Sequence, residues 1–315
     1  MTFAPMDAQL LDVVLSPFGL AILGLCIGSF LNVVIYRKPV MLEREWLYVT
    51  ARFLQDDDAM RRALGKDSRQ VAALGKAGTL LQTELTALPA LGLATPRSRC
   101  GHCGHELAWH ENIPLFGWLR LGGKCSACKT PISVRYPLIE ALTAALFFAV
   151  AWRFGATAGS VVYCIAVALL IAMAFIDLDT TLLPDELTLP LIGLGVLSAW
   201  LGWTRVSLPD AALGVLFGYF SLWAIARLYK LLRHVDGMAE GDFKLLAGLG
   251  GLLGWQALPA VILLSSAVGA AVGIFMIVAR GHNRNVPIPF GPYLAGGGLA
   301  ALFFGADLSR LWLGA

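Results

Sequence analysis

The stretch Gly237-Met238-Ala239-Glu240-Gly241-Asp242-Phe243-Lys244 is followed by 35 uncharged, mostly apolar residues, from Leu245 to Ala279. One helix needs only about 20 apolar residues to cross the hydrocarbon core of a bilayer. The run therefore reads as two spans, the first of them short, with the natural break at Trp255-Gln256-Ala257-Leu258-Pro259. This places the Asp242 carboxylate at the edge of a membrane. A second acidic cluster, Asp177-Leu178-Asp179 followed by Pro184-Asp185-Glu186, closes another apolar run in the same way. Two carboxylates could thus meet where lipid gives way to cytosol.

The rest of the chain has the same character. Its 315 residues are 57% hydrophobic and only 14% charged, with a mean hydropathy of +0.71, outside the range of ordinary soluble domains. Further charge-poor runs lie at 13–36, 154–176, 187–204 and 285–306, with less clean ones at 136–152, which holds Glu140, and 208–228, which holds Asp210 and Arg227. The expected fold is an all-α polytopic membrane protein of about eight transmembrane helices. Cytoplasmic loops retain Lys and Arg during insertion. With residues 37–135 inside and loops alternating, all of the 24 Lys and Arg except Arg153, Arg205 and Arg310 fall inside. Both termini are then periplasmic and both acidic clusters cytoplasmic. The first apolar run is too long for a signal core and follows Asp7 and Asp12 rather than basic residues, so no cleavable signal peptide is expected. The net charge of +3 reflects the membrane bias and gives no reason to expect nucleic acid.

Between the first and second spans lie about 100 residues of ordinary soluble composition. The part from Glu43 to Arg99 reads as exposed helix and connection. Beyond it, Cys100-Gly101-His102-Cys103 and Cys125-Ser126-Ala127-Cys128 form a C-x2-C-x21-C-x2-C pattern, close to the spacing of a four-thiolate zinc site. A cytosolic loop disfavours disulfides as the alternative. Four protein ligands leave no open position for water, so such a zinc is structural and fixes a loop with little core of its own. His102, His105 and His110 are possible replacements for a cysteine. Cys26 and Cys164 lie inside apolar spans and read as small core residues. The expected organisation is a first transmembrane helix (1–36), a small cytoplasmic zinc-binding domain (37–137) and a seven-helix membrane domain (138–315).

Membrane-edge aspartates have a bland explanation. Asp185 precedes a helical run and Asp242 opens one, and both could be helix caps. Asp177 differs because it ends a run, where an acidic group opposes the negative end of the helix dipole. It needs a compensating reason. An aspartyl protease supplies one: two carboxylates share a proton, activate a water and stabilise the carbonyl oxygen under attack. Capping and ion transport remain open at this point, since intramembrane ionisable groups are functional by default but unspecific in kind.

Five segments, taken together and in order, resemble the bacterial type IV prepilin peptidases, membrane enzymes of the GxGD aspartyl protease class. They are Gly28-Ser29-Phe30-Leu31-Asn32-Val33-Val34-Ile35-Tyr36-Arg37 with Met41-Leu42-Glu43-Arg44-Glu45-Trp46; the double Cys-x-x-Cys loop enclosing Glu111-Asn112-Ile113-Pro114; Ser133-Val134-Arg135-Tyr136-Pro137-Leu138-Ile139-Glu140; Ile176-Asp177-Leu178-Asp179 through Leu183-Pro184-Asp185; and Gly241-Asp242-Phe243-Lys244. Ile288-Pro289-Phe290-Gly291-Pro292-Tyr293 is similar to the family's last cytoplasmic turn. Two positions depart from the family pattern: the first glycine of GxGD is Ala239, and the usual Asp-Asn before Ile-Pro is Glu111-Asn112.

The resemblance implies cleavage of the basic leader of type IV prepilins and type II secretion pseudopilins at the cytoplasmic face of the inner membrane. N-methylation of the new terminus with S-adenosylmethionine follows. It implies Asp177 and Asp242 as the catalytic pair, Asp177 being favoured by its seven-residue offset from Pro184, with Asp179 and Asp185 as alternates. Residues implied for substrate binding or methylation are Gly28, Ser29, Asn32, Glu43, Arg44, Glu111, Asn112, Arg135 and Glu140. No Gly-rich cofactor loop is visible, so the methyl donor rests on the resemblance alone. Gly24, Gly28 and Ser29 form a small-residue face suited to a substrate helix or, equally, to a neighbouring span. A transporter that uses Asp177, Asp242 and Glu140 as a proton relay is the reading from another class.

Overall fold

The computed structural model describes residues 12–65, 69–235, 237–280 and 288–313. In chain order its α-helices are α1 (Pro17–Gln55), α2 (Asp57–Leu64), α3 (Arg69–Ala87), α4 (Phe116–Arg120), α5 (Arg135–Phe154), α6 (Ala158–Thr180), α7 (Asp185–Trp200), α8 (Leu208–Arg233), α9 (Glu240–Leu253), α10 (Leu258–Arg280) and α11 (Gly291–Leu313), with a 3-10 turn at Trp255–Ala257. Among the described residues, five helical segments are long and apolar enough to cross a membrane: α1, α5, α6, α8 and Trp255–Val278. The protein is therefore an all-α, multi-pass membrane-type fold. It divides into two compact units, residues 33–108 and the remainder.

In the larger unit α6 and α9 form the centre. Helix α6 starts at Thr157, whose side chain accepts from the Ser160 amide at 3.2 Å, and buries Val167, Leu170, Met173 and Ile176. It stops when Thr181 turns left-handed (φ 55°) and its amide closes onto the Asp177 carbonyl at 2.8 Å. Pro184 then opens α7, with Asp185 and Glu186 in the favourable first turn.

Helix α9 has 14 residues and so rises only about 21 Å, less than the roughly 30 Å of a hydrocarbon core. It ends at Gly254 (φ 84°), and the 3-10 turn and α10 follow where the sequence placed the break. Leu245, Leu246, Leu249 and Leu252 are wholly buried. Its neighbours come within backbone contact: a methyl on Gly250 would overlap the Gly214 carbonyl of α8, and one on Gly195 of α7 would reach the Gly251 carbonyl carbon at 2.6 Å. Lipid supplies no hydrophobic drive between helices, so close packing of this kind holds them together. By contrast, Leu216, Phe217 and Phe220 on α8 and Ile274, Phe275 and Val278 on α10 are exposed, an apolar surface suited to lipid rather than water.

The N-terminal half of α1 lies against α5. A methyl on Gly24 would reach the Ala144 Cα at 2.8 Å and one on Gly28 the Glu140 Cα at 2.7 Å. Asn32 fastens the same seam by donating to the carbonyls of Gly28 (3.3 Å) and Tyr136 (3.2 Å).

The unit 33–108 is helical where the sequence reads as helix and connection. Helix α1 continues through Pro39 to Gln55, well past the apolar run. Proline removes one internal hydrogen bond, and the good helix formers Met41, Leu42, Glu43 and Arg44 carry the helix on. Helix α3 approaches this extension, since a methyl on Gly78 would reach the Ala51 carbonyl at 2.7 Å, and Gln82 accepts from Gln55 at 2.7 Å. Asp56 caps α2 by accepting from the Ala59 amide at 2.9 Å. Arg37 is buried, with its guanidinium donating to the carbonyls of Gly92 (2.8 Å) and Pro96 (2.7 Å).

Candidate active site and metal centre

The four acidic candidates separate by environment. Asp177 and Asp242 are 4% and 6% exposed, and their charges interact. Asp179 and Asp185 are 40% and 55% exposed at the side chain. Asp179 accepts both nitrogens of the Arg135 guanidinium at 2.8 and 2.7 Å, and that guanidinium also lies over the Phe175 ring at 5.0 Å. Asp185 accepts from Lys244 Nζ at 2.9 and 3.0 Å. Lys244 is further paired with Glu240, one turn back, at 3.3 Å. The exposed pair is thus occupied in ion pairs.

Asp177 lies at the unfavourable end of α6, and the structure supplies the compensation. Its Oδ2 accepts from the Gly291 amide at 2.8 Å, so it meets the positive end of α11 as well as the negative end of its own helix. Asp242 occupies the third position of α9. Its carboxylate reaches back toward the Ala239 amide, which is the capping component of its role, but Oδ1 is buried with no hydrogen-bond partner. An unmatched carboxylate oxygen in a buried setting is costly to keep. Capping leaves that atom unexplained.

Leu183 fits between the segments that carry the two carboxylates. A methyl on Gly241 would reach the Leu183 Cβ at 2.6 Å; one on Gly291 would reach its Cδ1 at 3.3 Å and Asp177 Oδ2 at 2.7 Å. The second glycine of the signature is therefore needed for space. The first position is the N-cap of α9, with φ −81° and ψ 150°, an extended conformation that alanine adopts without strain. Ala239 accordingly costs the backbone nothing.

The sulfurs of Cys100, Cys103, Cys125 and Cys128 lie within 4.8 Å of one another. Both Cys-x-x-Cys segments use one turn. The Cys100 amide donates to His105 and the Gly104 amide to Cys100; the Cys125 amide donates to Thr130 and the Lys129 amide to Cys125. The fifth residue of each turn is left-handed, Gly104 at φ 73° and Lys129 at φ 61°. Four thiolates this close are the donor set of a tetrahedral metal site and could coordinate an ion such as Zn2+.

The remaining candidates have diverse positions. Gly28 and Asn32 belong to the seam between α1 and α5, and Ser29 is half-buried beside them. Glu43 is exposed on the α1 extension, and Arg44 donates to the Pro89 carbonyl at 2.9 Å. Glu140 is buried and accepts the Leu115 amide at 2.7 Å, which holds the start of α4. Asn112 is exposed. Glu111 lines a hollow of about 230 Å³ together with His110, Gly117, Arg120, Leu121 and Ser126. The sequence did not single out Leu183 or Gly291 as site residues. The cue was their place within segments similar to the family, Leu183 before Pro184 and Gly291 between Phe290 and Pro292.

Fold and site together define a polytopic helical membrane protein with two buried, interacting aspartates and a four-cysteine cluster. Residues 22–154 match the bacterial peptidase A24 N-terminal domain and residues 164–274 match the type IV leader peptidase family; the chain belongs to that family. It is 47% identical to the prepilin leader peptidase/N-methyltransferase of Aeromonas hydrophila over 290 residues, 92% of this chain and 91% of that protein. Proteins of the same name from Pseudomonas aeruginosa (45% over 292 residues; 93% and 91% covered) and Burkholderia pseudomallei (44% over 292 residues; 92% and 86% covered) are similar throughout. No solved structure matches the chain.

Proposed function

We propose that the chain is a membrane-embedded aspartyl endopeptidase of the inner membrane. It removes the basic leader of type IV prepilins and type II secretion pseudopilins at the cytoplasmic face, then methylates the new N-terminal amine with S-adenosylmethionine. The observation that carries this reading is the pair Asp177 and Asp242, both buried and interacting, in a chain similar over nine-tenths of its length to proteins named prepilin leader peptidase/N-methyltransferase.

A prepilin inserts its apolar N-terminal helix in lipid and leaves its basic leader in the cytosol, so the scissile bond lies at the membrane edge. One aspartate takes a proton from the attacking water while the other, protonated, donates to the carbonyl oxygen as charge develops there. Collapse of the tetrahedral intermediate breaks the C–N bond and returns a proton to the leaving amine. When bound, S-adenosylmethionine supplies an electrophilic methyl group. The walls of the hollow beside Glu111 offer an anion to match a sulfonium and Arg120 to match a carboxylate, so the residues fit that donor chemically. Glu111 is our candidate for orienting it, with Asn112 and Glu43 as further candidates. Gly28, Asn32, Arg135 and Glu140 act by holding helices in place.

Eight crossings, made by α1 and α5 to α11, with residues 37–137 cytoplasmic and both termini periplasmic, complete the reading. The short helix α9 sits inside the bundle while α7 keeps Leu189, Leu197 and Trp200 exposed, and Cys100, Cys103, Cys125 and Cys128 hold a structural zinc.

The test is cleavage of a synthetic prepilin by the purified protein in detergent with S-adenosylmethionine present. The expected product has lost its leader and gained the mass of one methyl group; failure of folded protein to cleave would overturn the reading. Asp179→Ala and Asp185→Ala are expected to keep cleavage within a few-fold of the parent, because exposed ion pairs contribute only about 0–1 kcal/mol. Loss of cleavage in either, with the fold intact, would transfer the catalytic role to it.

A further inference from the structure

We propose that Gly291 is a positioning residue of the proteolytic site, its amide fixing the Asp177 carboxylate and its missing side chain leaving the space that carboxylate fills. This rests on the proposed peptidase reading. Three observations support it. The Gly291 N–H donates to Asp177 Oδ2 at 2.8 Å across 114 residues of sequence. An amide donating to one oxygen favours the proton on the other, so the bond biases which edge of the carboxylate stays an acceptor. The room is also filled, because a Cβ at this position would lie 2.7 Å from Oδ2 and 3.2 Å from Cγ of Asp177. Finally, the amide is well anchored. Gly291 begins the 23-residue α11, Pro292 stands in its first turn where a missing donor costs nothing, and the amides of Tyr293 and Leu294 both close onto the Phe290 carbonyl at 3.1 Å.

The atom a methyl would strike is the far end of a side chain, not backbone. The carboxylate is therefore displaced before the fold is, and displacement of a reacting group by about an ångström costs up to about a hundredfold in rate. Gly296, also in α11, has open space where its Cβ would stand and serves as the control.

The experiment compares the parent, Asp177→Ala, Gly291→Ala, Gly296→Ala and Asp177→Ala/Gly291→Ala in prepilin cleavage and thermal unfolding. The parent cleaving while Asp177→Ala does not would uphold the peptidase reading independently of Gly291. Gly291→Ala is expected to lower kcat about tenfold or more with KM nearly unchanged, while Gly296→Ala behaves as the parent. The methyl is also expected to lower the melting temperature less in the Asp177→Ala background than in the parent, as two residues in contact must. A parental kcat in Gly291→Ala would overturn the proposal. So would an equal melting cost in both backgrounds, which remains readable even if the single variant folds poorly.

Discussion

Asp242→Asn is expected to abolish prepilin cleavage, by at least about a thousandfold, in a protein that unfolds at no lower temperature than the parent. The two halves of this expectation have one cause. Asp242 is 6% exposed with Oδ1 lacking any partner, and a carboxylate in that position is held at the expense of stability. An amide of the same shape is cheaper to bury, so the fold keeps or gains stability. It cannot exchange the proton on which water activation depends, so chemistry stops. Methylation of a pre-cleaved pilin by the same variant should continue, because the Glu111 hollow does not include Asp242. Product mass on cleaved and uncleaved substrates measures both. Loss of methylation together with cleavage would contradict separate sites, and retained cleavage would remove Asp242 from the mechanism.

The second large effect concerns the metal. Cys103→Ser and Cys125→Ser are each expected to reduce bound zinc from about one ion per chain to a small fraction, and to make residues 100–130 sensitive to proteolysis. A structural four-thiolate site contributes on the order of 10 kcal/mol of folding free energy, far more than the short turns around it supply. Cys125 is the buried member and Cys103 an exposed one, so a packing effect would touch the two variants unequally while loss of a ligand affects them alike. Elemental analysis of purified protein gives the stoichiometry. An unchanged value in both variants would remove the zinc assignment.

The helices were legible wherever one physical rule dominated. Long apolar runs gave α5, α6, α8 and α10, and Trp255 to Pro259 gave the break between α9 and α10, because solvation by lipid leaves few alternatives to a helix. Helix α1 was legible only to Tyr36. Its continuation to Gln55 depends on tertiary support from α3 and from the loop that Arg37 holds, which hydropathy does not report. The acidic clusters by themselves announced a site but not its members, and only the resemblance singled out Asp177 and Asp242. What separates Asp177 and Asp242 from Asp179 and Asp185 is the presence of Arg135 and Lys244 as partners, and Arg135 lies 44 residues from Asp179. The departure at Ala239 illustrates the same point. A glycine signature does not say which glycine is there for its backbone angle and which for space. Here the second serves space, and the first position has an extended backbone that alanine adopts without strain.

The Gly291 bond to Asp177 also sets an order of events in the life of the chain. Both aspartates leave the ribosome before the residue that orients one of them, and Gly291 opens the last helix. A chain halted between Asp242 and Gly291 carries the full acidic pair without the amide that aligns it. The protease is thus assembled at the end of its own synthesis. A half-made copy in a membrane crowded with other proteins' helices has no working blade.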